Sequence, residues 1–259
     1  MNLRIGDAVI EFVEHGDGVP VVALHGAGVD HREIEAAVEA ALAGSAGRRI
    51  YPDLPGMGGS TALGLDTNED VVTVLCGFLD ERRLGPVVLI GHSYGAYLAR
   101  GIAARRPDLV RGLGLICPVA ERSGAVPGHE VVRQDADAYD ELPPDQRPGF
   151  DEYFVVRTKA TARRYRDHVA PGTTMVDEAA LQRIFAGWPV DVGSVLTTPT
   201  LIMAGRRDAV VGYADAIALL ERFPRATLTI VEDAGHALPH ERPGLFAAML
   251  ADLLDRSAR

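Results

Sequence analysis

This chain of 259 residues has only two cysteines and no long apolar run. Cys76 and Cys117 can supply neither a disulfide framework nor a Cys-type zinc site, so we expect two buried free thiols. No stretch is apolar over the length that spans a bilayer, and the first residues lack the layout of a signal peptide. These absences make the cytoplasm the expected location.

Basic residues are also in deficit, because 26 lysines and arginines stand against 36 aspartates and glutamates. The resulting formal net charge of −10 argues against a nucleic-acid partner, since a phosphate backbone demands a concentrated basic surface. A hydrophobic fraction of 47% with 24% charged residues is typical of a globular protein. We therefore expect neither nucleic acid nor a membrane as a partner.

Apolar runs and breakers predict strands that alternate with helices over most of the chain. The predicted strands cover residues 2–6, 8–13, 19–24, 49–53, 86–90, 112–117, 200–204 and 227–231. The predicted helices cover residues 31–43, 68–82, the segment from the elbow described below to about 105, 213–223 and 243–255. Continuous apolar runs such as 86–90 are typical of strands covered on both faces, which predicts a parallel sheet between two layers of helices.

Residues 118–198 interrupt this alternation. Proline-rich linkers there surround helical segments near 151–168 and 177–188, and no buried strand is evident. We interpret this stretch as a helical cap inserted into one core domain, which residues 1–117 and 199–259 form together.

The pentapeptide Gly91-His92-Ser93-Tyr94-Gly95 follows directly on the predicted strand 86–90. A serine presented on a sharp strand-to-helix turn requires small residues two positions before and after it, because side chains there collide with neighbouring backbone. The pattern is that of a nucleophile elbow, with Ser93 as the nucleophile.

A serine nucleophile needs a histidine base and a carboxylate that orients it. Asp208 follows the predicted strand 200–204 and His236 follows the strand 227–231, so both lie at carboxyl ends of strands, where catalytic groups collect. Glu121 and Asp233 compete with Asp208 for the role of the acid. His240 competes with His236, although Pro239 disfavours a regular helix that would pair the two histidines on a metal.

With these residues in order, the chain resembles the α/β-hydrolase superfamily over nearly its full length. Residues 24–28, Leu-His-Gly-Ala-Gly, resemble the oxyanion loop of that family, and residues 53–60 resemble its glycine-rich loop after the fourth strand. The resemblance implies a mostly parallel eight-stranded α/β-hydrolase sheet flanked by helices. It also implies an oxyanion hole formed by the backbone amides of Ala27 and Tyr94.

Substrate selection is expected to lie with the cap and with the residues beside the elbow. The candidate pocket residues are His25, His92, Phe150, Phe154 and Trp188. Each of them is equally compatible with plain packing. A basic run on the cap, from Arg157 to Arg166, is typical of a solvated face and is compatible with an anionic partner.

The predicted function is a serine hydrolase that cleaves an ester, thioester or related acyl bond of a small molecule through an acyl-enzyme. Neither a cofactor nor a metal is expected. The alternatives are a carbon–carbon bond hydrolase or an N-terminal aminopeptidase on the same triad, because the fold does not choose among them. A ligand-binding or receptor protein with little turnover is the alternative outside the enzymes.

Overall fold

Ten strands and the helices between them are seen in a computed structural model that describes residues 1–44, 47–119, 125–187 and 195–258. Eight strands form one sheet in the order β1-β2-β4-β3-β5-β6-β9-β10. Their bounds are Asn2–Ile5 (β1), Ala8–His15 (β2), Pro20–Leu24 (β3), Arg48–Pro52 (β4), Val87–His92 (β5), Val110–Ile116 (β6), Thr200–Gly205 (β9) and Ala226–Val231 (β10). Pairing is parallel from β4 to β10, whereas β2 pairs antiparallel with both of its neighbours. The predicted mostly parallel, eight-stranded sheet is confirmed.

Helices cover both faces of this sheet. Helices α1 (His31–Ala41) and α9 (Pro243–Ser257) pack on one face, and α2 (Asn68–Glu81) and α3 (Tyr94–Arg105) pack on the other. Along β5, Val88 and Ile90 face the first pair of helices while Val87 and Leu89 face the second. Both alternating faces of the strand are therefore buried, which explains its continuous apolar run.

The helix predicted at 213–223 is shorter than expected. Helix α7 ends at Ala218 (Ala214–Ala218) and continues as a 3₁₀ turn over Leu219–Glu221, and a further short helix, α8, covers Leu238–Glu241. Among the helices of the described ranges, none is both long and apolar enough to cross a bilayer. Cys76 and Cys117 are free and buried, as predicted.

The described part of residues 118–198 adds no strand to the large sheet. It contains α4 (Arg147–Tyr153), α5 (Lys159–Arg164) and α6 (Glu178–Phe185), together with a π-helical turn, Tyr165–Val169. Two short strands, β7 (Arg133–Gln134) and β8 (Val156–Arg157), pair in parallel. The division of the chain into a core domain and a cap stays a prediction, and we use the word cap only as a label for residues 118–198.

The single helix predicted near 151–168 is wrong in one respect, because β8 separates α4 from α5. The backbone amides of Val155 and Val156 are turned away from a helical pattern and donate to Glu241. Thr158 then starts α5 as its N-cap, and its hydroxyl accepts from the amide of Thr161. A tertiary carboxylate and a local cap together divide the segment.

The basic run on the cap is largely paired within the cap itself. Glu141 lies 2.8 Å from Arg163, 3.1 Å from Arg166 and 3.6 Å from Lys159. Hydrogen bonds from Arg163 and Arg166 lower the pKa of Glu141 to about 2. These contacts favour the interpretation of a solvated, internally paired face.

Candidate active site

Ser93 lies on a sharp turn between β5 and α3. Its backbone has φ 54° and ψ −116°, a conformation that residues other than glycine rarely adopt. Its amide donates to the carbonyl oxygen of Ile116 at 2.9 Å. A Cβ on Gly91 would lie 2.3 Å from the carbonyl group of Gly95. The turn therefore excludes a side chain at Gly91 for the steric reason predicted from the sequence.

Asp208 and His236 meet beyond the ends of β9 and β10. Nδ1 of His236 lies 2.8 Å from Oδ2 of Asp208, and both side chains are buried. Oδ1 of Asp208 accepts from the amides of Val210 and Val211. Burial alone would raise the pKa of Asp208, but His236 and these amides outweigh it and hold that pKa below its usual value. An ionised Asp208 accepts a hydrogen bond from Nδ1–H of His236, which leaves the lone pair of the neutral ring on Nε2.

The loop that carries His236 lies against the elbow. Nε2 of His92 is 2.9 Å from the carbonyl oxygen of His236, and the two imidazole rings are 4.9 Å apart at their centroids. Because His92 immediately precedes Ser93, this contact brings the loop of the predicted base beside the predicted nucleophile. The ring of Tyr153, from the end of α4, lies 6.0 Å from that of His236.

The loop after β3 runs beside Ser93 on its other side. A Cβ on Gly26 would lie 3.4 Å from the Cβ of Ser93. Nδ1 of His25 lies 2.7 Å from the carbonyl oxygen of Gly26, and Nε2 accepts from the amide of Leu54 at 2.9 Å. Because Nε2 accepts a hydrogen bond, the ring of His25 is neutral, and its burial, which lowers its pKa, favours the same state. These two hydrogen bonds of His25 fix the conformation of the loop that contains Ala27.

Tyr94 is the first residue of α3, so its amide belongs to the positive end of that helix. Its hydroxyl donates to Oδ1 of Asn68 at 2.8 Å. The side-chain amide nitrogen of Asn68 in turn donates to the carbonyl oxygens of Ile184 and Gly187. The residue after Ser93 is thus linked through Asn68 to the end of α6.

The predicted pocket residues divide into packing residues and one that is not described. His25, His92, Phe150 and Phe154 each expose 1% or less of their surface. Phe150 and Phe154 belong to the apolar cluster inside the cap, next to Tyr165 and Val169. Because Phe150 and Phe154 have no surface that is accessible to water in this conformation, they could line a substrate pocket only if the cap moves. Their role in a pocket stays a prediction. Trp188 lies outside the described residues.

The competing candidates for acid and base lie elsewhere or have other partners. Asp233 pairs with Arg242 at the surface. His240 contacts Glu33 rather than Asp208. Glu121, like Trp188, falls outside the described ranges. The contact with His236 therefore favours Asp208 among the described carboxylates.

Two buried carboxylates beside the site were not predicted from the sequence. Glu33 of α1 approaches His92, His240 and Tyr153. Glu241 accepts from the amides of Val155 and Val156 with Oε1 and from the amide of Gly235 with Oε2, at 2.7–3.0 Å. Burial raises the pKa of Glu241 to about 6 despite these three amides. It connects the cap to the residue that precedes His236, and we call it the Glu241 tether.

Two groups of metal-type ligands occur among the described residues. Ligand atoms of His92, Cys117 and His236 lie within 4.8 Å of one another, as do those of Asp30, His31 and Asp53. Burial raises the pKa of the Cys117 thiol, which opposes the thiolate that a metal requires. Asp53 already accepts from His31 and from the amide of Gly59, and Asp30 caps α1 and pairs with Arg32. Protein partners account for these groups.

Comparison with known proteins matches residues 21–249 to the family described as the alpha/beta hydrolase family. The chain is 29% identical over 268 residues to the 2-hydroxymuconate semialdehyde hydrolase of Pseudomonas sp. (strain CF600), covering 93% of this chain and 88% of that protein. It is 27% identical over 223 residues to the lipase LipV of Mycobacterium tuberculosis, covering 78% and 82% respectively. Among solved structures, an alpha/beta superfamily hydrolase from Oenococcus oeni PSU-1 matches with a TM-score of 0.89 and 26% identity, covering 96% of this chain and 97% of that one.

Proposed function

Because this chain belongs to the alpha/beta hydrolase family and is a hydrolase, we propose that it cleaves acyl bonds with Ser93, His236 and Asp208 as a catalytic triad. The contact of 2.8 Å between His236 and Asp208, beside a serine on a strained turn, is the observation that carries the proposal. The substrate is a small molecule with an ester, thioester or related acyl group.

Each residue has one role in the proposed reaction. His236 takes the proton of Ser93 at Nε2 while the serine oxygen attacks the substrate carbonyl. Asp208 accepts a hydrogen bond from Nδ1–H of His236 and stabilises the imidazolium that forms. The imidazolium then gives its proton to the leaving group, and a water molecule activated by the same histidine releases the acyl group from Ser93.

The negative oxygen of the tetrahedral intermediate would be bound by the backbone amides of Ala27 and Tyr94. Two observations support this part of the proposal: Gly26 packs against Ser93, and Tyr94 begins α3. Each donor of this kind is worth about 3 kcal/mol of transition-state stabilisation.

A fluorophosphonate probe tests the proposed nucleophile. The wild type should be labelled on Ser93, and Ser93→Ala should lose the label. Ser60→Ala is the matched control, because Ser60 is as buried as Ser93, at 7% exposure, but its hydroxyl donates to the carbonyl of Asp53. A folded wild type that resists the probe, or a label that persists in Ser93→Ala, would refute the triad.

The relative named for 2-hydroxymuconate semialdehyde favours a second candidate, hydrolysis of a carbon–carbon bond by the same residues. A substrate panel separates the two candidates. Esters and thioesters of increasing acyl length should be cleaved faster than 2-hydroxymuconate semialdehyde if the acyl-bond proposal holds. The opposite ranking would replace it with the second candidate.

A cytoplasmic location stays a prediction.

A further inference from the structure

Glu33 is a buried carboxylate for which the triad has no use. It lies in the first turn of α1 with no accessible surface. Its Oε1 is 3.1 Å from Nδ1 of His92, 3.2 Å from Nε2 of His240 and 3.3 Å from the hydroxyl of Tyr153. These four residues, which we call the Glu33 cluster, connect α1 with the elbow, α8 and the cap.

The partners of His92 determine how many protons its ring carries. Nε2 lies 2.9 Å from the carbonyl oxygen of His236, and Nδ1 lies 3.1 Å from the carboxylate of Glu33. Both partners are acceptors without a proton of their own, and a neutral imidazole has only one N–H. Nδ1 makes no in-line hydrogen bond to Glu33, so its contact with that carboxylate is an ion-pair contact. A carboxylate at this distance attracts the imidazolium rather than the neutral ring.

The charges around His92 support the same protonation state. Glu33 faces it from α1, while Asp208 and His236 face it from the loops after β9 and β10. Burial alone would lower the pKa of His92, but the Glu33 carboxylate outweighs it and the pKa is raised. Burial likewise opposes ionisation of Glu33, yet His92 and His240 hold its pKa well below the usual value.

A buried ion pair is costly to desolvate and contributes little net stability compared with apolar packing. This pair lies where it contacts the main chain of the proposed base. We propose that Glu33 keeps His92 in its imidazolium form, and that this cation positions His236 by holding its carbonyl oxygen. Glu33 and His92 are thus positioning residues for the proposed triad, on which the inference rests.

Imidazole nitrogen NMR on the ¹⁵N-labelled full chain tests the charge. His92 of the wild type should carry protons on both nitrogens at neutral pH. Glu33→Gln removes the carboxylate and keeps the shape, so His92 should then carry one proton. The matched control is Glu39→Gln on the same helix, because Glu39 binds Arg49 and Tyr51 away from the site.

Labelling of Ser93 by the probe tests the positioning. Glu33→Gln should lower the rate by about tenfold or more, equivalent to roughly 1.4 kcal/mol or more, whereas Glu39→Gln should retain the wild-type rate. In turnover of an ester, the loss should appear in kcat rather than in KM, since Glu33 is fully buried and His92 contacts the main chain of His236. If Glu33→Gln does not fold, His92→Gln, which keeps an uncharged N–H donor, takes its place.

Two results would overturn the inference. One is a His92 that carries a single proton in the wild type, and the other is a Glu33→Gln protein that folds and is labelled on Ser93 at the wild-type rate. Failure of the proposed function is recognised separately. In that case Ser93→Ala is labelled like the wild type, while the NMR spectrum still reports the charge of His92.

Discussion

A Cβ on Gly95 would lie 2.3 Å from the carbonyl oxygen of Leu24, the last residue of β3. The same atom would lie 2.6 Å from the carbonyl oxygen of His25. The turn that follows Ser93 and the start of the loop that carries Ala27 therefore pack backbone against backbone. The placement of both proposed oxyanion donors depends on this contact.

Gly95→Ala should destabilise the protein and abolish labelling of Ser93, because the new methyl group must push β3 away from the elbow. We expect a loss of roughly 2–3 kcal/mol in the free energy of unfolding, measured by denaturant titration. Gly244→Ala is the control, since nothing lies within 4 Å of its added Cβ at the exposed start of α9. Equal stability of the two variants would contradict the prediction.

Asp208→Asn should reduce kcat by about 10³–10⁴-fold while the fold is retained. The asparagine oxygen can still accept from the amides of Val210 and Val211, which turns its NH₂ group toward Nδ1 of His236. His236 must then carry its proton on Nε2 and loses the lone pair that the reaction needs.

Steady-state rates on one ester measure this effect. Asp233→Asn, which alters only the surface pair with Arg242, should keep the wild-type rate. Glu121→Gln tests the rival acid, and loss of turnover in that variant alone would remove Asp208 from the triad.

Glu241→Gln should change how stability depends on pH. The pKa of Glu241 is about 6 in the folded protein, against 4.5 as its ordinary value. A raised pKa in the folded state stabilises the protein below the unfolded pKa, and that contribution is lost as the pH rises through the folded value. The loss between pH 4 and pH 7 is roughly 2 kcal/mol.

Glutamine does not titrate, so the variant escapes this loss. The free energy of unfolding of the variant, relative to the wild type, should therefore improve by roughly 2 kcal/mol from pH 4 to pH 7. Denaturant titrations at the two pH values measure it. A difference that stays constant with pH would show that burial does not raise this pKa.

The elbow could be predicted from the sequence because its cause is local. Gly91 and Gly95 are needed by a turn of five residues, and strand ends such as those before Asp208 and His236 follow from apolar runs. Glu33 could not be predicted, since it stands three residues after Asp30, the N-cap of α1, where a carboxylate usually caps a helix in solvent. Its partners lie far along the chain, and only the packed sheet brings them together.

The cap shows a second limit of sequence patterns. Phe150 and Phe154 have the same spacing and apolar character whether their rings face a ligand or one another, so the sequence could not distinguish the two. The break between α4 and α5 depends on Glu241, which lies more than eighty residues away in sequence. The packing of the two rings is not encoded in the segment, and the break is encoded there only in part, through the N-cap Thr158.

The carboxylate of Glu241 contacts the residues that it connects only through their main-chain amides. Any amino acid except proline supplies such an amide, so residues 155 and 156 can change type without removing a donor. A side chain at Gly235 is excluded for another reason, because its Cβ would lie 2.9 Å from the side chain of Val155. The attachment of the cap to the base loop is therefore largely independent of which side chains the cap carries. Substitutions at other positions of the cap should therefore leave the Glu241 tether, and the position of Gly235 beside His236, unchanged.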